Sequence, residues 1–163
     1  MSSTIEPTVN GVRRRITVED DDLLLDVLRQ IGRTSVREGC GVGACGACTV
    51  LVSGRSVSSC LARAVRYDQA EITTADGLPE DDDVVEAFVE ARAMQCGYCI
   101  PGFVLMGHEL LAENPTPTRQ EIADHLEGNI CRCGTYPEIL AAIEAAARRR
   151  SENDTGVPMG ETA

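Results

Sequence analysis

The sequence predicts an α+β fold of two small units, a mixed sheet with one helix followed by a bundle of four helices. Short segments rich in Val, Ile and Thr, separated by turn residues, recur up to residue 73. Beyond residue 83 the apolar residues follow helical spacing behind helix-capping residues. Residues 75–83 combine Gly, Pro and acidic side chains, which is typical of a connector.

The predicted sheet is built from two hairpins and a closing strand. Asn10-Gly11 is the pair preferred in a type I′ turn, and Ser53-Gly54 occupies the corresponding place in the second hairpin. The predicted strands cover residues 5–9, 12–18, 49–52, 56–58 and 72–73.

One helix is predicted inside this unit, over residues 23–31. Asp22 is placed to cap it, apolar residues recur along one face, and Gly32 ends it. Residues 38–48 contain too much glycine for a helix or a strand, so we expect a loop there.

The second unit is predicted from its helix-start signals. An acidic residue follows three positions after each of Asp83, Thr118 and Thr135, which is the spacing of a helix-capping pair. Pro101 suits the first turn of a helix. The predicted helices cover residues 83–93, 101–114, 118–127 and 135–147.

These signals divide the 163-residue chain into a first unit at 1–76, a helical unit at 77–150 and a tail at 151–163. The tail is polar, contains Gly156 and Pro158 and has no periodicity, so we expect it to be flexible.

Composition restricts the partners and the location. The formal charge of −11 opposes binding to nucleic acid, and the basic cluster Arg148 to Arg150 is interpreted as a helix end. No run of 18 apolar residues is present, so no membrane insertion is expected. The N-terminus lacks a basic start with an apolar core, which predicts a cytoplasmic protein.

The first cysteine group carries the strongest motif in the chain. Its spacing of four residues, then two, then a distant fourth is that of a plant-type ferredoxin, which holds a 2Fe-2S cluster. Three glycines inside the loop allow the tight turns that three ligands on one short segment require. The alternative is a structural zinc site with four thiolates. The group consists of Cys40, Cys45, Cys48 and Cys60.

The second cysteine group is ambiguous on its own. It forms two short clips, which suit structural zinc as well as iron and sulfide. Helices predicted to start at Pro101 and near Tyr136 follow the clips directly and direct their positive ends at the thiolates, which favours a negative cluster. The group consists of Cys96, Cys99, Cys131 and Cys133.

Three motifs in order resemble the iron-sulfur subunit or domain of the xanthine dehydrogenase type of molybdenum hydroxylase, including bacterial carbon monoxide dehydrogenase small subunits. They are Glu38 to Cys48 (EGCGVGACGAC), Gln95 to Gly102 (QCGYCIPG) and Gly128 to Tyr136 (GNICRCGTY). The resemblance covers residues 5–147. The last motif differs from the Cys-Thr-Gly-Tyr of many members, which affects the proposed cap at Thr135.

The resemblance implies a β-grasp plant-type ferredoxin-like domain, a C-terminal four-helix 2Fe-2S domain and two 2Fe-2S clusters. It implies an electron-transfer subunit without substrate chemistry of its own, with a large molybdenum-pterin subunit and a medium FAD subunit as partners, and it allows a dimer of such heterotrimers. Electrons would pass from molybdenum to the second cysteine group, then to the first, then to flavin. Gln95 and Cys133 would contact the pterin.

Two other functions remain open from the sequence. A free-standing electron carrier needs only the first unit, so the extra helical unit argues against it. A zinc-stabilised interaction module would use the same cysteines without redox chemistry. His108 and His125 lie away from both groups in sequence and are typical of packing or surface positions.

Overall fold

A computed structural model describes residues 2–155 of the chain. The strands are β1 (Ser2–Ile5), β2 (Thr8–Val9), β3 (Val12–Arg13), β4 (Ile16–Glu19), β5 (Thr49–Val52), β6 (Arg55–Ser58) and β7 (Glu71–Thr73). The α-helices are α1 (Leu24–Gln30), α2 (Asp83–Glu90), α3 (Ile100–Glu113), α4 (Arg119–His125) and α5 (Tyr136–Thr155). We call β1–β7 with α1 the sheet unit and α2–α5 the helical unit.

The sheet unit has a five-stranded sheet in the order β3-β2-β7-β5-β6 and a two-stranded sheet of β1 and β4. All its pairs are antiparallel except β2 with β7, which is parallel. The two predicted hairpins are confirmed, and Asn10 (φ 51°) and Gly11 (φ 74°) have the positive φ angles of a type I′ turn.

The prediction of one strand over residues 12–18 was wrong in one respect, because these residues form two strands, β3 and β4. Arg14 N donates to Pro7 O at 2.8 Å, but Pro7 has no N–H to return the second ladder bond. Ile5 pairs with Ile16 and Val9 with Val12 in one common register. The pairing is therefore a single long hairpin interrupted at proline.

Helix α1 forms the apolar layer against the sheet. Leu24, Leu25 and Leu28 are almost fully buried and pack with Val50 and Ile72 of the sheet. Each of these side chains contributes about 1.5–3 kcal/mol when removed from water.

The predicted Asp22 cap was wrong. Leu23 is the N-cap residue of α1 without a side-chain cap bond, and Asp22 Oδ2 instead accepts from Glu19 N at 2.8 Å in the preceding turn. The predicted end at Gly32 is confirmed by its φ of 84° and by the bond from Gly32 N to Arg29 O.

The helical unit keeps the predicted four helices with shifted ends. Helix α2 is capped by Asp82, not Asp83, and it ends at Glu90 because Arg92 takes a left-handed φ of 50°. The Thr118–Glu121 capping box before α4 is confirmed. Pro101 lies in the first turn of α3 as predicted.

Helix α5 extends to Thr155, beyond the predicted end at 147. The first residues of the predicted tail 151–163 are thus helical, and residues 156–163 lie outside the described part of the chain. The predicted helix-end role of the basic cluster was wrong. Arg150 pairs with Asp83 and Arg149 with Glu90, so the cluster joins α5 to α2.

The core of the helical unit lies between α2, α3 and α5. Phe88, Phe103, Ile139 and Ile143 are almost completely buried within it. Phe103 meets the ring of Tyr136 edge to face, with centroids 6.1 Å apart. Among residues 2–155, the helices are all too short or too polar to span a bilayer.

We expect Asp82→Ala to lower the free energy of unfolding by about 1–2 kcal/mol, measured by chemical denaturation. Asp82 Oδ1 accepts from Val84 N and Val85 N and lies 2.9 Å from His108 Nε2, so the variant removes a cap and a link to α3. Asp81→Ala is the matched control, because Asp81 is exposed. Equal losses in the two variants would contradict the assignment of the cap.

Candidate metal centres

The first cysteine group lies at one end of the sheet unit. Cys40, Cys45 and Cys48 follow α1 on the loop that leads into β5, and Cys60 follows β6. The thiol of Cys40 interacts with that of Cys45, and the thiol of Cys48 with that of Cys60. The predicted ligands are therefore brought together, as two pairs of thiols.

Backbone amides of the glycine-rich loop point at the sulfur of Cys40. Val42 N lies 3.4 Å and Ala44 N 3.2 Å from Cys40 Sγ, and these bonds lower the pKa of Cys40 to about 7. Burial has the opposite effect on Cys60 and raises its pKa to about 11. The loop thus stabilises a thiolate at its exposed side, which is the form that binds metal.

The second cysteine group lies where the helices of the helical unit begin. Cys96 and Cys99 precede α3, and Cys131 and Cys133 precede α5. The sulfurs of Cys96 and Cys133 are 3.6 Å apart, and Cys99 contacts Cys131. The group therefore also consists of two thiol pairs, beside the N-termini of two helices.

Local hydrogen bonds tune one member of this group. Burial acts to raise the pKa of Cys131, but hydrogen bonds with Thr135, Cys99 and Cys133 together outweigh it and lower the pKa to about 7. Thr135 Oγ1 lies 3.3 Å from Cys131 Sγ, so the predicted capping residue contacts a thiol. Burial raises the pKa of Cys99 to about 12.

The arrangement of the thiols in pairs indicates which kind of metal centre they could hold. Each group consists of two thiol pairs, Cys40 with Cys45 and Cys48 with Cys60 in the first, and Cys96 with Cys133 and Cys99 with Cys131 in the second. A 2Fe-2S cluster takes four thiolates over two irons, two for each. Two thiol pairs per group, with amides directed at sulfur, fit this two-iron arrangement.

The two cysteine groups meet at the junction between the units. Ile130 N, next to Cys131, donates to Cys45 O at 3.0 Å. A Cβ on Gly102 would lie 2.2 Å from Gly46 O, so only glycine allows this approach of α3 to the loop. One hydrogen bond therefore connects the backbones of the two groups.

A second set of contacts closes the other side of this junction. Arg37 Nη1 donates to Gly97 O at 2.5 Å, and Tyr98 OH donates to Glu38 O at 2.6 Å. The Arg37 guanidinium carbon also lies 5.3 Å from the centroid of the Tyr98 ring. Backbone next to each cysteine group is thus held by a side chain from the opposite unit.

Comparison with known proteins accounts for both units. Residues 7–76 match the 2Fe-2S iron-sulfur cluster binding domain family, and residues 74–144 match a second 2Fe-2S binding domain family. The chain is 45% identical over 150 residues to the nicotinate dehydrogenase small FeS subunit of Eubacterium barkeri, covering 90% of this chain and 96% of that one. It belongs to the iron-sulfur subunits of the molybdenum hydroxylase family.

Other members of this family occur as separate subunits or as parts of longer chains. The nicotine 6-hydroxylase small subunit of Paenarthrobacter nicotinovorans is 41% identical, over 85% of this chain and 86% of that subunit. Quinoline 2-oxidoreductase from Pseudomonas putida 86 superposes with a TM-score of 0.87 at 38% identity, covering 93% of this chain and 98% of that one. Aldehyde oxidoreductase from Desulfovibrio gigas gives a TM-score of 0.87 at 35% identity, over 98% of this chain but 19% of that one.

The predicted fold of this iron-sulfur subunit is confirmed. The sheet unit is the ferredoxin-like domain, and the four helices α2–α5 form the second 2Fe-2S binding domain. Membership in the molybdenum hydroxylase family is likewise confirmed.

The structure places the two residues expected to face a pterin next to each other. Gln95 Nε2 donates to Cys133 O at 3.1 Å, and Gln95 is exposed. Cys96, also exposed, lies on the same side. Gly97 and Tyr98, which follow Cys96, make contacts of the junction that joins the two cysteine groups.

Sequence reasoning missed the residues that build the junction. Asn129 is buried, and its Nδ2 approaches Gly46 O at 3.4 Å, yet only its place in a motif marked it in the sequence. Arg37 carries no motif signal.

His108 and His125 have carboxylate partners at 2.9 Å and 3.3 Å, in agreement with a packing role.

We expect Gly102→Ala to disturb the junction of the iron-sulfur subunit, because the new methyl group would collide with a backbone oxygen that cannot rotate away. The variant should lose bound iron and should melt at a lower temperature than the wild type. Gly128→Ala is the control, since a Cβ there meets no atom within 4 Å. Full iron content and unchanged melting in Gly102→Ala would contradict the close approach.

Proposed function

We propose that this chain is the electron-transfer subunit of a molybdenum hydroxylase complex. It would carry electrons from a molybdenum-pterin centre through two 2Fe-2S clusters to a flavin subunit or another acceptor. The observation that carries the proposal is the 3.0 Å hydrogen bond from Ile130 N to Cys45 O, which joins the backbone of one cysteine group to that of the other. The names of the related subunits support the same role.

The eight cysteines are proposed as the ligands. The first cluster would be held by Cys40, Cys45, Cys48 and Cys60, and the second by Cys96, Cys99, Cys131 and Cys133. The observed pairs suggest that Cys40 and Cys45 share one iron, Cys48 and Cys60 the next, and likewise Cys96 with Cys133 and Cys99 with Cys131. When bound, each cluster accepts one electron and passes it on.

The protein groups around the sulfurs would favour the negative charge of a bound cluster. Val42 N and Ala44 N point at Cys40 in the first group. In the second group, α3 and α5 begin directly after the clips, and the positive end of each helix dipole stabilises nearby thiolates. These groups also hold the sulfurs in place without side-chain charges.

We further propose that Gln95 and Cys133 form the face that meets the molybdenum-pterin subunit. Gln95 uses one amide hydrogen for Cys133 O, which fixes the side chain and leaves its carbonyl oxygen to accept from the pterin. Electrons would therefore enter at the second group and leave from the first, toward the flavin.

The proposed partners are a large molybdenum-pterin subunit and a medium FAD subunit. Their support is that relatives are named as small or iron-sulfur subunits, and that a similar unit forms part of the longer aldehyde oxidoreductase chain. We propose domain limits of 1–76 and 77–150, with α5 continuing to Thr155 past the second limit. We also propose a cytoplasmic location, because that compartment keeps thiols reduced and the proposed iron ligation uses all eight cysteines as thiolates.

Metal analysis tests the proposal against a zinc-stabilised module. We expect about four irons and four acid-labile sulfides per anaerobically purified chain, and two distinct electron paramagnetic resonance (EPR) signals after dithionite reduction, because each 2Fe-2S cluster uses four cysteines. Zinc in either group, with a single signal or none, would contradict an electron path through this chain.

Paired serine variants test the ligand assignment. Cys45→Ser should abolish the EPR signal of the first cluster and leave the second, and Cys99→Ser should do the reverse, because each group lies in its own unit. Each variant serves as the control for the other. Loss of both signals in both variants would show that the two clusters are not held independently.

Gln95→Ala tests the pterin face. In the assembled complex we expect both cluster signals to persist while the rate of cluster reduction by substrate, measured by stopped flow, falls severalfold, because the proposed link to the pterin is removed. Gln120→Ala is the control, since Gln120 is an exposed amide on α4 whose Nε2 bonds Asp124. An unchanged reduction rate in Gln95→Ala would remove Gln95 from the site.

A further inference from the structure

Helix α3 crosses the junction along its length and contacts the sheet unit at two levels. Near its start, Gly102 rests on the carbonyl oxygen of Gly46 in the first cysteine loop. Two turns later, Glu109 reaches β6, the edge strand of the five-stranded sheet. Seven residues of α-helix separate these contacts by about 10 Å. Arg37, Tyr98 and Ile130 make the other junction contacts close to the cysteine groups. The Glu109 contact lies further along α3, so it adds a distant constraint on the angle between the units.

The second contact is made by a buried carboxylate. Glu109 is 7% exposed, and its Oε1 accepts from Ser56 N at 2.8 Å. Ser56 belongs to β6, whose other edge pairs with β5. The hydrogen bond therefore uses a main-chain donor on the free edge of the sheet, and it crosses from one unit to the other.

His125 on α4 lies beside the other oxygen of this carboxylate. His125 Nε2 lies 3.3 Å from Glu109 Oε2. Among residues 2–155 this buried nitrogen has no hydrogen-bond partner, and the Glu109 carboxylate is the polar group that lies beside it. Glu109 is thus oriented from its own unit while it binds the other.

Burial of a carboxylate is costly unless its oxygens are bonded, and an apolar side chain would fill this position with less penalty. The neighbouring pair of Arg55 and Glu113 joins the same strand and helix, but both side chains are largely exposed, at 71% and 47%. Exposed pairs contribute little. At this level of the junction, we therefore assign the orienting role to the hydrogen bond between Glu109 and Ser56 N.

We propose that Glu109 is a positioning residue for electron transfer between the two clusters. Its hydrogen bond to Ser56 N on β6 constrains the angle of α3 to the sheet and, together with the contacts at the cysteine groups, the separation of the two groups. The proposal rests on the proposed function, because it concerns the distance between two bound clusters. Tunnelling rates fall steeply with distance, so a change in the angle of α3 that moved the two groups apart would slow transfer.

The test uses the full chain loaded with both clusters. When both clusters are reduced, their EPR signals split through dipolar coupling, which depends on the inverse cube of their separation. In Glu109→Ala we expect this splitting to be lost or broadened while iron content and the unsplit signals of each cluster stay as in the wild type. Glu113→Ala, one turn further along α3, should keep the splitting.

Glu109→Gln separates the hydrogen bond from the charge. The amide oxygen can still accept from Ser56 N, so this variant should keep the wild-type splitting even where its melting temperature falls. Wild-type splitting in Glu109→Ala would overturn the proposal, and loss of splitting in Glu109→Gln as complete as in Glu109→Ala would overturn the role of the Ser56 bond. A wild-type chain with only one cluster would instead refute the proposed function.

Discussion

The structure depends on the close approach of two cysteine-bearing segments that belong to separate folding units. Gly102 at the start of α3 touches Gly46 O, and Ile130 N donates to Cys45 O at 3.0 Å. Because a backbone contact of this kind tolerates no side chain at Gly102, it determines how the helical unit lies on the sheet unit. The remaining junction contacts, from Arg37 and Tyr98 to Glu109, keep that approach in place.

This arrangement concentrates eight thiols in a chain that already carries a net charge of −11. The protein offsets the charge with neutral dipoles. Backbone N–H groups face Cys40, and the N-termini of α3 and α5 face the second group. Neutral donors stabilise a metal-bound thiolate without placing a positive side chain beside it. A fixed positive charge would favour one charge state of the centre over the other, so neutral donors suit a site that gains and loses electrons.

Local signals predicted most of the fold, and the errors have local causes. The two hairpins and the Thr118 capping box followed from turn and cap residues alone, and Pro7 explains the one divided strand. The α2 start moved by one residue because neighbouring aspartates are equivalent in sequence.

The cysteine spacing predicted both groups of the site, but the junction between them depends on residues far apart in sequence. The pairing of Glu109 with Ser56 spans 53 positions, and no motif marks either residue. Arg37 and Gly97 are 60 positions apart. Such contacts follow from how the two units pack, which periodicity within one segment cannot reveal.

The central claim is that the two cysteine groups form one intramolecular electron path. Pulse radiolysis of the fully loaded chain measures it directly, by reducing one cluster and following the redistribution of the electron by absorbance at several protein concentrations. We expect equilibration between the clusters at a rate independent of protein concentration. A rate that rises in proportion to protein concentration would show that electrons move only between molecules, and it would contradict the path across the Cys45–Ile130 contact.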